Sequence, residues 1–152
     1  MSDFVWDYQN PFLIDVVVEA SHIDGLQHVN NAVYVTWCQD AGWQHSISLG
    51  LGIEQYHQLD RAMAIRRSEY DYAQSAYLGD ELKVATWLTK TDDKLSMERR
   101  FQLVRLRDGA TLLRGRWDLV CIQISSGRPK RMPAEFKTIY GDAVIDPADE
   151  SS

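Results

Sequence analysis

The chain reads as an α+β domain in which one long helix lies against an antiparallel sheet, and three observations predict it. The stretch from Asn31 to about Leu49 has the length and apolar density of a single enclosed helix. Five short runs rich in β-branched and aromatic residues surround it, and the joints between the last four are turn residues rather than helical linkers. At 152 residues, 45% of them hydrophobic, the chain suits one domain with a substantial core.

Residues 11 to 19, Pro-Phe-Leu-Ile-Asp-Val-Val-Val-Glu, predict the first strand. After a loop from Ser21, Asn30 and Asn31 are placed to cap the free N–H groups of the helix. Val33, Tyr34, Trp37, Cys38, Ala41, Trp43, Ile47 and Leu49 leave its first half apolar on most sides, which predicts a largely enclosed helix ended by Gly50 and Gly52. A looser stretch holds Tyr56, His57 and Asp60. Strand-like runs follow near 61 to 73, 80 to 90, 95 to 107 and 111 to 124, joined by Gly79-Asp80, Thr91-Asp92-Asp93-Lys94 and Asp108-Gly109. In the last run Leu113, Gly115, Trp117, Leu119 and Cys121 share one face, opposite Arg114, Arg116 and Asp118. The charges of the last two runs are expected on outer faces. Residues 1 to 144 form the expected domain, and the acidic stretch 145 to 152 an expected frayed tail.

Composition narrows the partners. A formal charge of -6 argues against non-specific binding to nucleic acid or to an anionic membrane, both of which need a basic face. The first eight residues lack a signal-peptide pattern, and no apolar run approaches the roughly 20 residues that span a bilayer, so a cytoplasmic protein is expected. Cys38 and Cys121 are too few and too far apart for a disulfide framework, and each lies in an apolar run where a buried thiol is ordinary. No pair of histidines has metal-site spacing, so no metal or other cofactor is expected.

Chemistry is expected in the segment Ser21 to Tyr34. It sets an acid, Asp24, and an imidazole, His28, just before a helix start. A positive helix end and its free donors favour a carboxylate in its anionic form, able to act as base or nucleophile while a neighbouring N–H polarises a carbonyl. The plainer reading of Asp24 is an Asx-turn before Gly25.

Asp24-Gly-Leu-Gln-His28-Val-Asn-Asn31-Ala-Val-Tyr34 resembles the Asp-x-x-x-His-Val-Asn-Asn-x-x-Tyr signature of hotdog-fold acyl thioesterases, the 4-hydroxybenzoyl-CoA and acyl-ACP thioesterase group. Tyr70 to Leu82 and Gly127-Arg-Pro-Lys-Arg-Met-Pro133 also resemble that family, so the likeness spans about residues 11 to 140. Ser75 stands where the family usually has Pro. The resemblance implies a long central helix wrapped by a curved antiparallel sheet, an edge-to-edge homodimer with active sites at its interface, often a homotetramer, and hydrolysis of acyl-CoA to a carboxylic acid and free CoA. It makes Asp24 the catalytic acid and the Asn31 main-chain N–H the donor to the thioester carbonyl.

For His28 it implies catalysis in the acyl-ACP type, but the Asn that accompanies it there is Leu26 here; holding the turn is the other reading. Tyr34 and Trp37 would line the acyl pocket, unless they simply pack in the core. Arg66, Arg67, Lys94, Arg128, Lys130 and Arg131 are candidates for the CoA phosphates, with a solvated face as the alternative. Two further functions remain open: an acyl-ACP thioesterase and a non-catalytic acyl-CoA-sensing module. A hotdog hydratase is disfavoured, because its His lies five residues after the Asp and here the separation is four.

Overall fold

The computed structural model describes residues 5–145. Strands β1 (Phe12–Val17), β2 (Arg61–Tyr72), β3 (Glu81–Thr91), β4 (Ser96–Arg105) and β5 (Thr111–Gln123) form one antiparallel sheet in the order β1-β3-β4-β5-β2. Helix α1 (Asn31–Ser48) packs on β3 and β1, α2 (Ile53–Leu59) lies beside β2, and α3 (Ala134–Ala143) beside β3.

Turn chemistry fixes the β3-β4-β5 meander. Asp92 Oδ1 accepts the N–H groups of Lys94, Leu95 and Ser96, each at 2.9 Å, while Asp93 takes a left-handed φ of 58°. Gly109, at φ 69°, closes the next hairpin. Turn residues join the four later strands in sequence, which by itself suggests a meander of neighbours. Instead β2 crosses to the far edge and pairs with β5, Arg61 facing Gln123 and Tyr72 facing Leu113, with Arg66 left as a bulge.

The core fills the space between α1 and one face of the sheet. Tyr34, Trp37, Cys38, Ala41, Gly42 and Ser46 form the buried face of the helix. At Gly42 an added Cβ would lie 3.1 Å from the Trp117 ring, so the missing side chain permits close contact with β5. Enclosure is one-sided, contrary to expectation: Gln39, Asp40, Trp43 and Ile47 face outward, because one chain supplies only one layer of sheet for this helix.

Two other expectations are corrected. Helix α2 falls in the stretch read as looser, being too short to show a helical period, while α3 adds an element that the sequence reading did not assign and buries Phe136 and Tyr140, four residues apart. The charges of β4 are not all on a solvated face, since Glu98, Arg99 and Arg105 are buried. The N-terminal segment covers the outer face there: Gln102 binds the Val5 carbonyl and the Asp7 N–H, and Trp87 Nε1 donates to the Gln9 carbonyl. Ile145, where the expected tail begins, donates its N–H to the Leu88 carbonyl at 2.9 Å; the rest of that tail lies outside the described residues. Among the described residues no helix is long and apolar enough to cross a membrane.

Candidate functional site

A 3₁₀ turn at Ala20–His22 leads into a small hairpin in which Ile23 bridges Val29. The Asp24 N–H donates to the His28 carbonyl at 2.9 Å, and Gln27 turns the chain with a left-handed φ of 65°. Asp24 Oδ1 accepts the Leu26 N–H at 2.9 Å, so the Asx-turn is real; it engages one carboxylate oxygen. Asn30 ends the hairpin. Its N–H reaches the His22 carbonyl, its Oδ1 accepts the Ala32 N–H at 3.0 Å, and its carbonyl accepts the Val33 N–H. Thus two of the first three helical N–H groups are capped. The third, on Asn31, has no acceptor among the described residues and is left as an available donor at the positive end of α1.

Ala76 fastens this assembly to the sheet. Its carbonyl accepts the Val29 N–H at 3.1 Å, and its N–H donates to the Tyr34 hydroxyl at 2.9 Å. Burial, the largest influence, raises the Tyr34 pKa, so this hydroxyl remains neutral. His28 is half-buried with its ring edge-on to Tyr77 at 5.4 Å, and His22 packs against Trp37 at 5.2 Å. Leu26, Tyr72, Tyr77 and Leu78 stay exposed around the loop, an apolar rim that sequence reasoning did not identify.

The other predicted residues scatter. Tyr34 and Trp37 are buried in the core, on the face of α1 that meets the sheet. Arg66 and Arg67 are exposed on β2, where Arg67 pairs with Glu69 at 2.7 Å. Arg128, Lys130 and Arg131 lie exposed in the loop after β5, beside the Arg61 end of β2. The Asp24 loop is tied to residues just past Tyr72 at the other end, about 35 Å away along the strand. Within one chain these cations do not converge on Asp24.

A cavity of about 290 Å³ lies farther along α1, lined mainly by Gly42, Met63, Ile65, Met97, Arg99 and Trp117. Arg99 is 3% exposed, and its Nη1 lies 2.9 Å from His45 Nδ1 and 3.1 Å from Thr86 Oγ1. Burial first, then the guanidinium, pushes the His45 pKa down to about 4, so at neutral pH the imidazole is neutral and its Nδ1 accepts from the arginine. Burial also lowers Arg99, to about 10, which leaves it cationic. Beside it, Ser46 donates to the Leu51 carbonyl at 2.6 Å. Proton accounting then makes Tyr140 donate to Ser46 and Tyr56 donate to Tyr140. The sequence carried a signal for Arg99: in Met97-Glu98-Arg99-Arg100-Phe101 it has the same strand parity as Met97 and Phe101, hence the core face.

The described residues contain no group of three or more His, Cys, Asp or Glu side chains converging for a metal ion. Cys38 and Cys121 are buried free thiols, pushed by burial to about 12 and about 11, too high for a nucleophilic thiolate near neutral pH.

The fold therefore defines an α+β class in which an acid-bearing loop precedes the 18-residue helix α1, held against an antiparallel sheet. The profile of the Thioesterase-like superfamily matches residues 18–139, and the chain belongs to that superfamily. Its fold is shared by a Staphylococcus aureus protein solved in complex with CoA (TM-score 0.81, 20% identity, covering 91% of this chain and 88% of that one). A 1,4-dihydroxy-2-naphthoyl-CoA thioesterase from Synechocystis gives TM-score 0.78 at 19% identity, covering 88% and 97%. A 12:0-ACP thioesterase from Umbellularia californica gives TM-score 0.81 at 20% identity, covering 90% of this chain and 51% of that one. No curated protein matches the chain.

Proposed function

We propose that the protein hydrolyses acyl-CoA thioesters, and the observation that carries this is the Asn31 N–H left without an acceptor beside the Asp24 loop in a thioesterase-like chain. Asp24 acts as general base on water or as the nucleophile. As the carbonyl carbon becomes tetrahedral, its oxygen gains charge and accepts from the Asn31 N–H, a kind of donor worth about 10² to 10³ in rate. The C–S bond then breaks and the thiolate takes up a proton; with Asp24 as base the acid leaves directly, and with Asp24 as nucleophile a water then hydrolyses the acyl-aspartyl anhydride, releasing the acid and restoring the carboxylate. His28 supports the turn through its carbonyl and ring packing.

The assembly we propose is a cytoplasmic homodimer, with homotetramers built from it, in which the sheet wraps α1. Two facts support it: the outer edge of β2 is unpaired among the described residues, and α1 leaves Trp43 and Ile47 exposed. If β2 pairs antiparallel with a second copy of itself, the two-fold brings opposite strand ends together. The basic loop of one copy, with Arg128, Lys130 and Arg131, then approaches the Asp24 loop of the other and supplies cations for the CoA phosphates. Arg66 and Arg67 would lie along the same seam.

The test is free-thiol release from short, medium, long and aromatic acyl-CoAs, with an acyl-ACP for comparison, by the wild type beside Asp24→Ala. Hydrolysis that falls about 10² to 10⁴-fold in the variant, with substrate binding kept, supports the assignment. Equal turnover by both proteins refutes the role of Asp24. Binding without thiol release by either would make the domain a sensor.

A further inference from the structure

The cavity beside α1 has a property that an acyl pocket for plain hydrocarbon does not need. Its walls are apolar, from Met63, Ile65, Met97, Trp117 and Leu119, yet a guanidinium buried to 3% exposure opens onto it. Among the described residues Arg99 hydrogen-bonds to neutral His45 and to Thr86, both through Nη1, and no carboxylate pairs with it. Its Nε and Nη2 have no acceptor on the described chain. No buried side-chain polar atom there is both sealed and unpaired, so this edge of the fork faces the open space of the cavity. Nε and Nη2 together form the edge that grips a carboxylate with two parallel hydrogen bonds.

The buried hydroxyls of the cavity wall and the Trp117 N–H are already committed, while exposed Gln39 borders the opening. The hydroxyl chain of Tyr56, Tyr140 and Ser46 uses each of its protons internally, and Trp117 Nε1 donates to the Tyr70 hydroxyl at 2.7 Å. Holding an unpaired cation in such a place is costly, and the cost is offset when an anion arrives to pair with it. A volume of about 290 Å³ accepts an acyl tail but is at the small limit of ligand pockets and excludes a nucleotide. Gly42, on its rim, stands eleven residues along α1 from Asn31, about 16 Å at the helical rise.

We propose that Arg99 is a specificity residue that binds a carboxylate at the far end of the acyl group, making ω-carboxyacyl thioesters, the monothioesters of dicarboxylic acids, the preferred substrate class. This rests on the hydrolase reading above. Hydrolysis of such a substrate adds water across the C–S bond and releases a dicarboxylic acid and the free thiol.

The experiment compares octanoyl-, decanoyl- and dodecanoyl-CoA with their ω-carboxy counterparts, for the wild type, Arg99→Met, Arg99→Lys and Ile65→Glu. In parallel, calorimetry measures binding of the free monocarboxylic and dicarboxylic acids, which requires no turnover. The wild type is expected to favour carboxyl-ended chains. Arg99→Met should remove that preference through a loss of about ten- to a hundredfold in kcat/KM or in affinity, with methyl-ended chains little changed. Arg99→Lys should keep part of it. Ile65→Glu, at an exposed wall position, should abolish it by supplying an internal counter-ion, and it serves if the arginine variants fail to fold. A wild type that favours methyl-ended chains, or a preference that survives both Arg99→Met and Ile65→Glu, overturns the proposal. Dicarboxylate binding that depends on Arg99 without hydrolysis of any thioester would sink the hydrolase reading and leave the anion site standing; hydrolysis without any preference would do the reverse.

Discussion

Acidification should destabilise this fold through one identifiable side chain. In the native state His45 titrates at about 4, held down by burial and then by the adjacent Arg99 guanidinium, whereas an unperturbed histidine titrates near 6.5. Because the folded value is the lower one, the unfolded chain binds the extra proton first. The stability that His45 contributes is therefore complete above about pH 6.5, declines as the pH falls, and is exhausted below about pH 4. Integrating between the two values gives a loss of about 2 kcal/mol by about pH 5. Carboxylates titrate over part of the same range, so the measurement is a difference: urea unfolding of the wild type and of His45→Gln at about pH 7.5 and about pH 5. Glutamine can still accept from Arg99 but carries no titrating proton. The wild type should lose about 2 kcal/mol more than the variant across that interval. Equal losses, or a smaller loss in the wild type, would refute the claim that a neutral His45 is required beside Arg99.

Other outcomes follow from single contacts. Asn30→Ala removes the cap on the Ala32 N–H and should cost about 1 kcal/mol in urea unfolding, with a further fall in turnover because the same cap orients the first turn of α1. Tyr34→Phe leaves the buried Ala76 N–H without its acceptor and should cost about 1 to 3 kcal/mol. Arg105→Ala breaks a buried guanidinium's contacts with Asp80, Asp108 and the Ser75 carbonyl, for about 3 kcal/mol, read as a lowered Tm. Sedimentation should give a mass of at least twice the 17.5 kDa chain, and a monomer at assay concentration would overturn the proposed pairing along β2.

The strands and α1 were legible because each announces itself locally. Asp92 and Gly109 mark reversals that the chain must make, and Asn30 and Gly50 bracket α1 by capping and by a left-handed turn at φ 95°. Strand order was not legible, because pairing β2 with β5 rather than β3 depends on contacts between distant segments. The Asp24 loop could be read from a local signature, and its Asx-turn and capped helix start follow from residue types. Arg99 was harder to find. An arginine in a charge-rich strand reads as solvated until its parity with Met97 and Phe101 is weighed, and the N-terminal cover over the opposite face makes both faces of β4 interior. Arg128, Lys130 and Arg131 are close in sequence, but no pattern in one chain tells that they lie at the opposite end of the sheet from Asp24.

The Tyr56–Tyr140–Ser46 relay ties α2, α3 and α1 together through three hydroxyls at 2.5 and 2.6 Å. The proposed reaction centre and the cavity thus occupy different stretches of a single rod, and only the second depends on the two short helices. Under the proposed function, exchanging the segment from Gly50 to Asp60, or α3, would remodel the cavity while leaving untouched the hairpin that holds Asp24. Selection and chemistry can drift independently in such a design, which makes these two short helices the natural targets for redirecting the protein toward a new acyl group.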